Sequence, residues 1–408
     1  MKCRHCGSKI SLDFLDLGTA PPSNAYLTAE ALDAPEVRLP LRLVVCESCW
    51  LVQVAHVAAS EALFSADYAY FSSFSATWLA HAERFAAEAT ARLGLGPSSS
   101  VVEIAANDGY LLRWFRRDGV PCYGVEPTAS TAAAARALGI EIVEAFFGRD
   151  LAGDLLATRG AADLMVANNV LAHVPDIADF VGGFARLLAP SGAATFEFPH
   201  LLRMVAENQF DTAYHEHYSY LSLTAVVGIF AANGLAVFDV EELPTHGGSL
   251  RVWAERADTG RRAATVAVGA VLAREAAAGV TTAAFHRGFQ ARAEAIKDDL
   301  LAFLIEAKRA GRRVAAYGAA AKGNTLLNFA GVRPDLLPWV VDRNPAKQGR
   351  FLPGSRIPIV AEERLAAEKP DLVLILPWNL AEEIADQLAY VRAWGGRFVV
   401  AVPRLTVF

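Results

Sequence analysis

Val101-Val-Glu103-Ile-Ala105-Ala-Asn107-Asp108-Gly109-Tyr-Leu-Leu112 is the stretch that decides the fold. It reads as a short apolar strand, a turn of small and polar residues, and the start of a helix. Working outward, further short strand candidates stand at Tyr123–Val125, Leu164–Ala167 and Ala194–Phe198, separated by helix-length stretches. That alternation argues for a parallel α/β sheet. Upstream, Trp78 and Phe85 mark an opening helix that ends before Gly94-Leu-Gly-Pro97.

With 408 residues the chain exceeds one ordinary domain. We expect three: a small module over 1–70, the α/β domain over 71–257, and a third over 258–408. In the last, Phe289, Ala293, Ile296, Leu300 and Leu304 form one apolar helix face, with Gly311 as a stop. Arg313–Tyr317, Trp339–Asp342, Leu372–Leu376 and Arg397–Val400 follow as strands of a second parallel sheet. A hydrophobic fraction of 53% against 20% charged residues is globular. No apolar run approaches the roughly 18 residues of a membrane helix. The polar, cysteine-bearing start does not read as a signal peptide, so the expectation is a cytoplasmic enzyme without membrane or obligate protein partners. A net charge of −6 and no long basic run argue against nucleic acid.

Cys3-x-x-Cys6 and Cys46-x-x-Cys49, separated by residues 7–45, read as a tetrahedral zinc site. Four thiolates close the metal to substrate and make it structural. A disulfide reading is weaker in a cytoplasmic chain. Cys122 stands alone and apolar and reads as core.

The opening stretch resembles the cofactor turn of Rossmann-like S-adenosylmethionine-dependent methyltransferases, in which an acidic residue precedes a glycine-rich turn. Glu103, Ala105, Asn107, Asp108 and Gly109 fit that scheme, with Ala105 replacing a usual glycine. Glu126-Pro127 ends the second strand, where a carboxylate accepts ribose hydroxyls from this donor or from NAD. Asn168 and Asn169 end a further strand, where open sheets bind ligands; their bland reading is loop capping. Phe147 and Gly148 are weaker candidates for an adenine pocket, because a Phe-Phe pair is commonly core. Tyr214-His215-Glu216-His217 packs two imidazoles, a carboxylate and a phenol into four residues. A histidine base beside a methyl donor points to methylation at carbon, where a C–H proton must leave. His215 and His217 share one face if extended, which leaves a metal reading open. Thr245-His246-Gly-Gly-Ser249-Leu-Arg251 offers polar groups, with His246 on the substrate side. Tyr317, Gly318, Lys322, Gly323 and Asn324 form a turn and helix start suited to an anion, with Asp342 and Lys347 nearby. A bare scaffold is the plainer reading.

With these residues in hand, the chain resembles the sugar C-methyltransferases of deoxysugar biosynthesis, which methylate nucleotide-linked 4-keto sugars. The resemblance spans nearly the whole length. It includes the two CxxC pairs with LDLGTAPPSNAYL between them, DYAYFSSFS near 67–75, VVEIAANDGYLL, NNVLAHV and YHEHYSYLSL. THGGSLRVW at 245–253, YGAAAKGNTLLNF at 317–329 and VDRNPAKQGRFLPG at 341–354 complete it. It implies a zinc-binding N-terminal module, a Rossmann-like methyltransferase domain and a Rossmann-like C-terminal domain that holds a sugar nucleotide, with thymidine diphosphate as the expected carrier. It further implies His217 as the base that removes the C-3 proton, with Tyr214 and Glu216 beside it. His173 would stand near the ketone, and Tyr68 would reach in from the N-terminal module, with Tyr70 as its near neighbour. Helix capping for His173 and interdomain packing for the tyrosines are the duller readings. Rival functions are an O- or N-methyltransferase on another small metabolite, an NAD-dependent oxidoreductase, and a non-catalytic zinc-module protein that binds nucleic acid.

Overall fold

The computed structural model describes residues 1–57 and 71–408; Tyr68 and Tyr70 fall outside them. The fold is mixed α/β, built on three sheets. In the central one the strands Glu141–Val143, Cys122–Val125, Val101–Ile104, Ala162–Asn168 and Leu188–Pro199 run parallel. Ser249–Arg256 and then Leu235–Leu243 extend the same sheet in antiparallel sense, which the alternation of strands and helices had not signalled. Val101–Ile104 is buried at every position, as a parallel strand covered on both faces must be. The helix Ala76–Leu93 opens on a Ser75 side-chain cap and closes on Gly94 at φ 64°.

Strands Leu12–Ala20, Leu39–Val45 and Val52–Val54 form an antiparallel N-terminal sheet. Its fourth strand, Ser219–Tyr220, comes from the segment that directly follows His217. The third sheet holds Val314–Tyr317, Val340–Val341, Ile359–Val360, Leu372–Ile375 and Arg397–Val400 in parallel, with Thr406–Val407 antiparallel at its edge. Helix Phe289–Arg309 buries its apolar face between the N-terminal and third sheets, where Phe14 stacks on Phe289 at 4.7 Å. Helix Val266–Ala278 belongs by its packing to the central sheet, since Val268 and Val271 join that core. Among the described residues no single helix is long and apolar enough to cross a membrane.

Candidate active site

A cavity of about 1020 Å³ opens at the carboxyl ends of the central strands and is walled on its far side by segments that follow strands of the third sheet. The turn after Val101–Ile104 enters it with Ala105 and Asn107 in the left-handed region, φ 57° and 49°. Glu126 faces the cavity, and its two oxygens accept from the backbone N–H of Thr128 and of Asn107, each at 2.9 Å. A carboxylate offers about four acceptor positions, so room remains for two hydroxyl groups. Pro127, Asn168 and Asn169 also line it, and the buried Oδ1 of Asn168 lacks a hydrogen-bond partner.

The remaining residues of the turn are directed elsewhere. Asn107 Oδ1 and Asp108 Oδ2 accept from the N–H groups of Ser72 and Ser73, holding that segment over the cavity mouth. Gly109 packs where a Cβ would meet Ile140 at 2.4 Å. Glu103 is wholly buried, its carboxyl pushed well above the ordinary range by burial, beside Tyr110. Glu103, Asp108 and Gly109 therefore shape the turn and lie outside the cavity lining. Phe146 and Phe147 both line the cavity, with Phe147 edge-on to Phe180 and Phe184 of the core. Gly148 packs against Asp179 instead.

Tyr214, Glu216 and His217 enter the cavity from one irregular segment, and His173 meets them from the end of the Ala162–Asn168 strand. His217 lies 3.9 Å from the Tyr214 ring and 4.5 Å from His173, centroid to centroid. Its Nδ1–H donates to the Thr212 carbonyl at 3.0 Å, because a carbonyl can only accept. Nε2 is thereby left as the basic nitrogen. Burial, then the neighbouring His173, holds the imidazole well below its usual pKa. His173, bonded to the Glu216 backbone, is lowered to about 4 by burial. Glu216 takes both of its oxygens to Asn24 Nδ2, at 2.9 and 2.8 Å, and burial pushes its carboxyl up to about 7. His215 turns away from the cavity and donates from Nε2 to the Leu39 carbonyl at 3.2 Å. The metal reading of His215 with His217 finds no support, since among the described residues only the four cysteines cluster closely enough to hold an ion.

His246, at φ 55°, accepts from Asn169 Nδ2 at 3.2 Å and is lowered to about 4 by burial, with Lys322 adding to the effect. Lys322 lines the opposite wall, donates to Asn379 at 2.7 Å and sits over the Trp378 ring at 4.6 Å. Burial lowers its pKa to about 8, opposed by Asp211, which accepts from Trp378 Nε1 at 2.8 Å. Helix Ala321–Ala330 begins without a side-chain cap, and Ala320 and Ala321 line the cavity with Lys347. Tyr317, Gly318, Gly323 and Asn324 lie behind that wall. Tyr317 is core, and the two glycines admit Pro377 and Leu376 at distances a Cβ would forbid. Asn324 donates to the Ser23 carbonyl at 3.4 Å. Of the anion turn, Lys322 alone among the five expected residues reaches the cavity.

Three family models match the chain in order: a zinc binding domain over residues 3–64, a methyltransferase domain over 78–240, and a C-methyltransferase C-terminal domain over 244–403. C-methyltransferase NovU of Streptomyces niveus is 35% identical over 402 residues, covering 98% of this chain and 95% of that one. The chain belongs to the C-methyltransferase family. Solved structures of lower similarity include a Burkholderia thailandensis 1,6-didemethyltoxoflavin-N1-methyltransferase with bound S-adenosylhomocysteine. It is 20% identical with a TM-score of 0.37, covering 50% of this chain and 95% of that one. Magnesium protoporphyrin IX methyltransferase from Synechocystis, also with bound S-adenosylhomocysteine, is 16% identical with a TM-score of 0.35, covering 44% and 83%.

As a C-methyltransferase the protein draws its methyl group from S-adenosylmethionine, and its N-terminal module binds zinc. The residues fit both. Glu126 and the unsatisfied Oδ1 of Asn168 suit the hydroxyl and amine groups of a nucleoside donor. The four thiol sulfurs lie within 4.8 Å of one another, with Cys3–Cys49 at 3.6 Å and Cys6–Cys46 at 3.5 Å. Bonds of about 2.3 Å to a tetrahedral zinc require S–S edges of about 3.8 Å. Gln53 Nε2 donates to the Cys3 sulfur at 3.3 Å, and Gln53 Oε1 accepts from the Arg4 N–H at 3.1 Å. Arg4 in turn reaches the carbonyl of Tyr218, next to His217.

The sequence reading passed over several residues around this C-methyltransferase cavity. Glu197 Oε2, at the end of a central strand, lies 2.8 Å from His81 Nε2 and accepts from Arg251 at 3.0 Å. Burial works against its charge, but His81 and Arg251 together hold its pKa below the ordinary range. Asn24 stands within PPSNAYL, between the two CxxC pairs. A polar residue flanked by prolines and aromatics was the available signal.

Proposed function

We propose that this C-methyltransferase adds a methyl group to C-3 of a thymidine diphosphate-linked 4-keto-deoxysugar, in deoxysugar biosynthesis. The observation that carries the reading is one cavity with three kinds of lining. Acceptors suited to a nucleoside donor stand on one wall, an imidazole held neutral at its centre, and two half-buried lysines with an uncapped helix start opposite. When bound, the donor supplies an electrophilic methyl on sulfur. A ketone at C-4 acidifies the C-3 hydrogen. His217 Nε2 takes that proton, the C–H electron pair forms the enolate, and C-3 then attacks the methyl in line. The Nδ1–H bond to Thr212 fixes the ring and its tautomer for that transfer.

Each remaining group has a place in this scheme. His173 stands beside the ketone as a neutral imidazole whose N–H is held by the Glu216 backbone, and Tyr214 and Glu216 position the sugar hydroxyls. Lys322, Lys347 and the helix start at Ala320 and Ala321 receive the diphosphate. His246 lies on the sugar side, between the donor wall and Lys322. Tyr68, outside the described residues, is assigned to the same pocket on the resemblance alone.

The test is His217→Asn, with exchange of the substrate C-3 hydrogen against solvent deuterium as the readout. The variant should lose exchange and methyl transfer together. Exchange at the parent rate would show the base is another group.

A further inference from the structure

We infer that Asn24, on the loop that leaves the first strand of the zinc module, is a positioning residue that keeps Glu216 ionised and aimed into the cavity. The amide nitrogen of Asn24 lies 2.9 and 2.8 Å from the two oxygens of Glu216, across 192 residues of sequence. An amide N–H₂ can only donate, so this arrangement selects the carboxylate over the acid. Glu216 is 2% exposed, and Asn24 also lines the cavity, so the pair meets at its wall.

The loop itself is anchored on both sides. Tyr26 donates from its hydroxyl to the Ala319 carbonyl at 2.7 Å, and Asn324 donates to the Ser23 carbonyl. At the next residue of the same helix, Thr325 donates to the Ala213 carbonyl at 2.8 Å, immediately before Tyr214. The loop 21–26, the helix Ala321–Ala330 and the segment 213–217 thus brace one another. Around Glu216 the other titratable groups are Tyr214, His215 and His217 of its own segment, His173, bonded to its backbone, and Tyr26, with Lys347 and Asp342 beyond that ring. Asn24 is the side-chain donor that the hydrogen bonds of the described residues give to this carboxylate.

The inference rests on the proposed role of Glu216 in sugar positioning, and its test separates the two. Full-length protein with carboxyl-labelled glutamate is titrated by infrared spectroscopy, and the band absent from Glu216→Gln identifies Glu216. Two variants remove the donor: Asn24→Ala, which leaves a gap, and Asn24→Leu, which fills it. Zinc content per chain reports folding, and one folded variant suffices. The Glu216 midpoint should move alkaline by about one pH unit or more, the worth of a charge-assisted bond. The acid limb of kcat/KM should move with it, which a merely structural role would not cause. A midpoint unmoved in a folded variant overturns the inference, whatever the activity. A midpoint that moves while the acid limb stays supports Asn24 and instead overturns the catalytic part given to Glu216.

Discussion

Burial sets the protonation of this cavity residue by residue. His173, His217 and His246 are all held below the ordinary imidazole range, chiefly by desolvation, so none is charged at pH 7. Glu216 and Lys322 are the groups brought toward neutrality, to about 7 and about 8. For Glu216 the ionised form exists above its value, and for Lys322 the charged form exists below its value. On the proposed roles kcat/KM is therefore bell-shaped, falling below about pH 7 and above about pH 8. Lys322→Met should raise KM by about tenfold and erase the alkaline limb, which a pH series of initial rates measures. An alkaline limb that persists in that variant would assign it elsewhere. The Tyr214–His217 cluster was legible in sequence because four proton-handling groups stand side by side. Asn24 as their partner was not, because nothing local marks a contact spanning 192 residues.

At the level of elements, one buried carboxylate explains a boundary that periodicity could not show. Glu275 lies on the helix Val266–Ala278, which the sequence places with the third zone. Its oxygens accept from His200 Nε2 and Leu223 N–H, each at 2.7 Å, and from the Thr224 N–H and hydroxyl at 2.8 and 2.5 Å. It therefore pins the start of helix Leu223–Ala232 to the end of the Leu188–Pro199 strand, and the Tyr214–His217 segment lies between the two. Apolar spacing reports which face of a helix is buried, not which sheet it is buried against. The strands around VVEIAANDGYLL were legible for the opposite reason, since a doubly covered strand reads as a near-continuous apolar run, interrupted here by the buried Glu103. Glu275→Ala leaves an imidazole, two N–H groups and a hydroxyl without their acceptor. It should cost about 3 kcal/mol or more in urea unfolding followed by circular dichroism, since each buried donor left without an acceptor costs about 1–3 kcal/mol. An unchanged midpoint would mean the clasp adds nothing to stability.

Taken as a whole, the molecule places its zinc far in sequence from its chemistry yet mechanically next to it. The four-cysteine cluster connects through Gln53 and Arg4 to the carbonyl of Tyr218, and the N-terminal sheet takes Ser219–Tyr220 as its last strand. The same module carries the loop from which Asn24 reaches Glu216. Composition and cysteine spacing disclosed the metal but not this coupling, which exists only once a strand from the middle of the chain joins the first sheet. The cavity wall at Glu126 and Asn168 rests instead on the central strands. Cys46→Ser should accordingly lower zinc content and cut kcat by about a hundredfold, as expected when reacting groups are misplaced by about 1 Å. S-adenosylhomocysteine affinity by calorimetry should fall by less than about tenfold, because hydrogen bonds within the central domain hold Glu126 in place. An equal loss of both would mean the metal holds up the central sheet itself, and the N-terminal module would then be a stabiliser of the fold and not a wall of the active site.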